Sequence, residues 1–408
     1  MRIALLSLAV PWRHKPTIGL YNVAQAAALR QLGHDAEIFT IAPWIPALAR
    51  NASEVTRRQS DRPARYEWGG VPINTVRAPM AYPRAVRFGP ARSHPRAVAR
   101  IFDRATAPFL APMIDRFAPD ALLAHGMQPW GGLARRLAKP RGLRCGVIEH
   151  SYEDVMAIQA GSSMADHYLE IARSMDVVLS VSDAMTSNLR QIGVERASTL
   201  LGGVNCPPRP GSHDRRSDTF DILCAGQYHE RKGHALLLKA FARANLSNAQ
   251  LRLVGTPPAA LKALIHDLGI ADRIEVLSEM PNADLLSEMA KADLFALPSW
   301  AEAFGLVFAE ALGVGTPVLM TEDAGFAEHI EHGRHGWIVQ PRDIAATVVA
   351  LRAAHRTSPK QRREMGRRGK ALIQSKFVWR KNAQRLVEYF EAAAPALTSS
   401  SKPIALTA

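Results

Sequence analysis

The stretch Pro298 to Val318, PSWAEAFGLVFAEALGVGTPV, decides how the fold is read. An apolar strand closes at Leu297, and a polar turn carries Glu302. Phe304-Gly305-Leu306 then opens a helix that bears Glu310 and ends near Gly313. Glycine at a helix start lets a ligand approach the backbone, and the free N–H groups with the helix dipole favour a phosphate. Glu310 lies four residues beyond Leu306, about 6 Å along a helix axis, which is close to the span from a diphosphate to the ribose of the same nucleotide. A carboxylate there can accept hydrogen bonds from both ribose hydroxyls, as acidic residues do in dinucleotide folds. The plainer alternative is a helix with solvated glutamates; the apolar spacing and flanking Gly and Pro argue against it.

A second strand–loop–helix unit stands upstream. Ala225-Gly226-Gln227-Tyr228-His229-Glu230-Arg231-Lys232-Gly233 follows an apolar run and precedes a helix predicted over His234–Ala244. Lys232 can meet a diphosphate as a point charge, and Gly226 leaves room for it. One such loop is common. Two in the same half of the chain point to a ligand at the carboxyl edge of one parallel sheet.

Around these windows, short apolar runs alternate with stretches of helical period, the pattern of an α/β protein with parallel sheets. In the first half, strands are predicted at 3–8, 36–40, 120–124, 144–148 and 177–181, with helices over 21–32 and centred near 107, 135 and 168. In the second half, strands are predicted at 220–225, 251–255, 274–277, 294–297 and 317–320. Between the halves, GGVNCPPRPGSHDRRSD at 202–218 is too rich in proline and glycine to continue a ladder or a helix. The chain has 408 residues, enough for two domains. The expected division is residues 1–201, a linker 202–218, residues 219–376, a terminal helix within 377–394 and a tail 395–408. Two doubly wound, Rossmann-like domains would face each other across a cleft at the carboxyl ends of their strands.

With 47% apolar and 22% charged residues, the composition excludes a wholly disordered chain, a collagen-like fibre and a membrane bundle. Cys145, Cys206 and Cys224 show no paired spacing, which argues against a disulfide scaffold or a structural zinc site. His329, His332 and His335 recur every three residues, but Gly333 and Gly336 break any helix that would align them as metal ligands. With no targeting segment and no apolar run of about 18 residues, the expected location is the cytoplasm. The net charge of +14 favours anionic partners. From Arg77 to Phe102 six arginines (Arg77, Arg84, Arg87, Arg92, Arg96, Arg100) occur with no acid. That run reads as a solvated face or as a surface steering the chain to anionic membrane or an anionic acceptor. Nucleic acid ranks last, because aromatic residues do not interleave with the charges.

Glu302 and Glu310, separated by seven residues, resemble the signature of retaining glycosyltransferases of family 4, the glycosyl transferases group 1 with the two-domain GT-B fold. Gly226 with Lys232-Gly233 is similar to the family's diphosphate loop. Val254-Gly255, Thr316-Pro317-Val318, Gly325 with Glu328, and Phe377-Val378-Trp379 continue the likeness. In the first half Gly33-His34, Glu149-His150, Ser182-Asp183 and Gly203-Val204-Asn205 match more loosely. The resemblance implies a metal-independent hexosyltransferase that moves a sugar, with retention, from a nucleotide-diphosphate sugar, a UDP- or GDP-sugar first, to a hydroxyl acceptor. No cofactor is implied beyond that donor substrate. The basic surface alone suggests that the acceptor is a saccharide or lipid-linked saccharide in cell-envelope or other glycoconjugate synthesis.

The resemblance assigns Glu302, His150 and Lys232 to the chemistry. Gly19, Gly226, Gln227, Arg231, Lys232, Phe304, Gly305, Leu306 and Glu310 are assigned to the donor, and His150 to the acceptor side. His125, which also ends a strand, ranks second there; for both, a core histidine satisfied by a carbonyl is the plainer alternative. The resemblance also implies that the terminal helix crosses back onto the first domain. Two departures stand out. Gln227 occupies the place where the family usually has arginine, and Thr17-Ile18-Gly19-Leu20 has one glycine where two are frequent. Gln227 motivates a rival reading, a catalytically weak nucleotide-binding or scaffold protein; the +14 charge motivates a second, a nucleic-acid-associated protein.

Overall fold

The computed structural model describes residues 1–79, 95–156, 158, 160–205, 219–300 and 302–393. It contains two open sheets. The first is built from β1 (Arg2–Leu6), β2 (Asp35–Pro43), β3 (Arg65–Trp68), β4 (Val71–Ala78), β5 (Ala121–His125), β6 (Arg144–Glu149), β7 (Val177–Ser180) and β8 (Ser198–Thr199), in the order β3-β4-β2-β1-β5-β6-β7-β8. The second takes β9 (Phe220–Ala225), β10 (Ala249–Val254), β11 (Ile274–Leu277), β12 (Leu294–Ala296), β13 (Val318–Thr321) and β14 (Gly336–Val339), in the order β11-β10-β9-β12-β13-β14. Every pairing is parallel except β3 with β4.

The sequence explains this order. Ile3-Ala4-Leu5-Leu6 and Ile222-Leu223-Cys224 are unbroken apolar runs, buried on both faces as central parallel strands must be. β1 lies between β2 and β5, and β9 between β10 and β12, so strand order reverses beside each first strand. A crevice opens at the carboxyl ends of the strands at such a switch. All ten predicted strands are present, with ends shifted by up to two or three residues. β3, β4, β8 and β14 are additional. β4 carries Pro72, Asn74 and Arg77 among its apolar residues, which hides its period, and β8 has only two residues.

The helix Trp379–Ala392 returns to the first domain, as the resemblance implies. Arg144 Nη1 donates to the Phe390 carbonyl at 3.2 Å, and Tyr389 Oη donates to the Thr199 carbonyl at 3.1 Å. Gly202 and Gly203, read as the start of the connection, pack closely on the other half. A Cβ on Gly202 would fall 2.9 Å from Leu306, and one on Gly203 2.7 Å from the Trp379 backbone. The Val204 amide donates to the Phe377 carbonyl at 2.8 Å. The rest of the predicted linker from Cys206, the predicted tail, and Arg84, Arg87 and Arg92 lie outside the described residues. Among the described residues no helix is long and apolar enough to cross a membrane.

Candidate active site

The carboxyl ends of the two sheets enclose a cavity of about 520 Å³. The second domain contributes Gln227, Lys232, Glu302, Phe304, Gly305, Leu306 and Glu310 to its wall. The first contributes His125 and His150. Most of the residues singled out in the sequence therefore meet in one place.

The wall from the second domain follows from local geometry. Gly305 sits at φ +87° immediately before the helix Leu306–Val314, a backbone conformation that glycine adopts without strain. A Cβ there would strike the Phe308 ring at 2.7 Å. The first amides of that helix lack intrahelical acceptors and lie at the cavity, where they can hold an anion. Glu310, one turn deeper, accepts a hydrogen bond from Asn282 Nδ2 at 2.9 Å. Burial pushes its carboxyl up to about 7, against the lowering effect of Asn282. Glu302 is buried, and its Oε1 accepts a hydrogen bond from Lys232 Nζ. Lys232 and Glu302, read from the sequence as separate contacts to phosphate and sugar, thus form an ion pair.

Three expected donor residues do not line the cavity. Gly19 closes on its own chain: a Cβ would lie 1.9 Å from the Ala9 carbonyl oxygen, so the single glycine serves the turn before the helix Leu20–Gln31. Gly226 would place a Cβ 3.4 Å from Leu297, an ordinary contact, so the protein alone does not demand glycine there. Arg231 stands behind Lys232, with Nη1 3.9 Å from Glu302 Oε1. Phe304 does line the cavity, yet it is also a core residue, packed on Phe326 and Phe377 at ring distances of 5.4 and 5.8 Å.

On the opposite wall, His125 Nδ1 and His150 Nε2 are 3.0 Å apart in near-parallel rings. Burial lowers both imidazoles, His150 to about 4 and His125 well below its ordinary value, with His150 adding to the effect on His125. The pair is neutral at pH 7 and can exchange hydrogen bonds with hydroxyls but cannot offer a cation. His125 Nε2 is buried and unpartnered.

Tyr21, Gln25 and Asn382, missed in the sequence, and Glu149 and Glu328, matched there without a role, complete the surroundings of the cavity. Tyr21 packs its ring 5.1 Å from His150. Gln25 Nε2 donates to Asn382 Oδ1 at 2.7 Å, and Asn382 Nδ2 donates to the Leu201 carbonyl at 2.8 Å, so the terminal helix forms part of the wall. Glu149 is buried beneath the histidines and accepts from the amides of Met127, His150 and Ser151 at 2.8, 2.8 and 2.7 Å. It ties together the loops that follow β5 and β6 and thereby fixes His125 and His150. Glu149→Ala strands three amides and is expected to lower stability by about 3 kcal/mol in urea unfolding; a loss below about 0.5 kcal/mol would contradict this role. Glu328 bridges the domains by accepting from the Asp183 and Ala184 amides at 3.2 and 2.9 Å, a carboxylate at the start of the helix Asp183–Gln191.

Two Rossmann-like domains joined in this way, with the cavity between their strand ends, have the GT-B architecture. The family model for glycosyl transferases group 1 matches residues 209–372, and that for the glycosyl transferase 4-like domain matches residues 17–201. The chain belongs to the group 1 glycosyltransferases. It is 27% identical over 370 residues to D-inositol 3-phosphate glycosyltransferase 1 of Catenulispora acidiphila, covering 82% of this chain and 81% of that one. Among solved structures it resembles sucrose-phosphate synthase from Thermosynechococcus elongatus, with TM-score 0.75 and 19% identity over 96% of this chain and 98% of that one. It also resembles the Anabaena protein HepE in complex with UDP and glucose, with TM-score 0.69 and 16% identity over 96% and 100%.

Proposed function

We propose that this glycosyltransferase moves a sugar from a nucleotide-diphosphate sugar to a hydroxyl of a saccharide or lipid-linked saccharide, with retention and without a divalent cation. One observation carries the reading: Lys232, the open helix start at Leu306 and the deeper Glu310 line the same cavity as the two histidines. Glu310 would accept from the ribose hydroxyls. The helix start and Lys232 would take the negative charge that develops on the departing diphosphate, the positive-charge role that a metal ion can also fill. Arg231 would add to that field from behind, where Gln227 can offer only an amide. Glu302 would turn from Lys232 to the sugar hydroxyls, and His150 would orient sugar or acceptor. Retention rests on the family resemblance, with the leaving phosphate helping to deprotonate the acceptor on the same face. Closure of the domains around the donor would exclude water and limit its hydrolysis.

The name of the Catenulispora relative supports glycosyl transfer, and the UDP and glucose bound by HepE support a nucleotide-sugar donor. The +14 charge supports work at the surface of an anionic membrane, here read as its cytoplasmic face, on a cell-envelope acceptor. The Lys232–Glu302 pair and Gln227 favour a second reading, nucleotide binding without turnover. A thermal-shift screen with UDP-, GDP-, ADP- and CMP-sugars tests the first step, since a ligand that binds only the folded chain raises its melting temperature. At about 100 times the dissociation constant, the stabilisation is about 2.7 kcal/mol. A clear rise with one donor, followed by transfer or slow donor hydrolysis, is expected. No rise with any donor would overturn the proposal, and a rise without turnover would leave the binding-only reading.

A further inference from the structure

A groove of about 810 Å³, sharing no lining residue with the cleft, runs between the helices Pro95–Phe117 and Gly132–Ala138. Its cations fall into two groups. Arg100 and Arg135 lean on Glu170 at 3.6 and 3.9 Å, and Arg141 is held by Asp115 through two bonds of 2.6 and 2.9 Å. Arg104, Arg136 and Lys139 line the same groove, and none of them has an acidic partner within 4 Å among the described residues. Like charges on a solvated face gain by diverging; here three unpaired cations border one concavity.

Within the groove lies Asp103, only 9% exposed, with Oδ1 buried and unpartnered. It occupies the space left by a missing side chain, since a Cβ on Gly132 would lie 2.6 Å from Asp103 Oδ2. Arg136 and Arg135 lower its pKa, yet burial outweighs them and pushes the carboxyl up to about 7. A buried carboxyl with no donor is costly, and a hydroxyl from a ligand would relieve it. Ala107, Pro108 and Ala111 add an apolar strip suited to the C–H face of a polyol.

We propose that this groove is a second binding site, which takes a phosphorylated polyol with its phosphate on Arg104, Arg136 and Lys139 and a hydroxyl on Asp103. A phosphate without hydroxyls would leave Asp103 unmet, and a neutral polyol would leave the cations unmet. Both a soluble polyol phosphate and the headgroup of a phosphoglycerol lipid have this chemistry.

Titration calorimetry of the full chain at physiological salt, with glycerol 3-phosphate and with inorganic phosphate, tests the site. Glycerol 3-phosphate is expected to bind at one saturable site, more tightly than inorganic phosphate. The double variant Arg104→Ala/Arg136→Ala should weaken it by at least about ten-fold. Asp103→Asn should remove its advantage over inorganic phosphate. Vesicles of phosphatidylglycerol in phosphatidylcholine form the second arm: binding of vesicles but not of free glycerol 3-phosphate, lost in the double variant, would assign the site to the lipid. Nucleotide affinity in the cleft should be unchanged in every variant, which confirms folding and keeps this outcome separate from that of the proposed reaction. Equal binding of inorganic phosphate and glycerol 3-phosphate, or binding of either probe that survives the double variant, would overturn the proposal. So would no binding in both arms.

Discussion

Replacing Glu310 with alanine is expected to weaken nucleotide binding by about 10- to 100-fold, because a carboxylate that accepts from two hydroxyls loses charge-assisted bonds worth about 1.5–3 kcal/mol. Titration calorimetry with the nucleoside diphosphate checks this, and an unchanged affinity would remove the ribose role. The environment of Glu310 gives the effect a pH signature. Burial holds its carboxyl at about 7, above the ordinary range, so the proton is retained more tightly by the folded chain than by the unfolded one. Its stabilising contribution is complete below the unfolded value and is lost as pH rises through about 7. Nucleotide binding runs the other way, since the ionised form is the better acceptor: affinity should rise with pH across neutrality. In Glu310→Gln both dependences should flatten, and the unliganded variant should melt higher than the parent at about pH 8. Asn282→Ala removes the amide that favours ionisation and should move the binding midpoint to higher pH.

Lys232→Ala is expected to lower kcat by about 10²–10³-fold, the scale seen when one donor to a developing negative charge is removed. Acceptor affinity should change little, and Lys232→Arg should recover part of the rate. A turnover equal to the parent's would contradict leaving-group stabilisation by this residue. The ion pair adds a second consequence. In the proposed role Lys232 leaves Glu302 for the diphosphate, so Glu302→Gln should tighten binding of the nucleoside diphosphate while impairing transfer. Removing the lysine alone leaves a buried carboxylate with Arg231 as its nearer remaining cation, so the melting temperature of Lys232→Ala should fall as well. Separate measurement of stability and rate distinguishes the two effects.

Features of the site set by local spacing were legible in the sequence. Gly305 at a helix start, Glu310 one turn in and Lys232 before its own helix each follow from a strand–loop–helix unit, and parallel pairing carries such units to one sheet edge. Partners brought together by long-range packing were hidden. Gln25 and Asn382 bond across 357 residues, and Asn282 reaches Glu310 from a helix outside the motif. Gly19 is ambiguous in the sequence for a related reason: a glycine before a helix has the same pattern whether the close neighbour that requires it is a phosphate or, as here, the carbonyl of Ala9. The β3–β4 hairpin escaped because Pro72, Asn74 and Arg77 interrupt the apolar period of β4.

A crystal structure of the chain with a bound nucleotide-diphosphate sugar is the most direct measurement. Expected density places the diphosphate against the amides of Leu306 and Val307 with Lys232 turned onto it, and the ribose hydroxyls on Glu310. A nucleotide seated elsewhere, or Lys232 still bonded to Glu302 beside a bound diphosphate, would contradict the assignment.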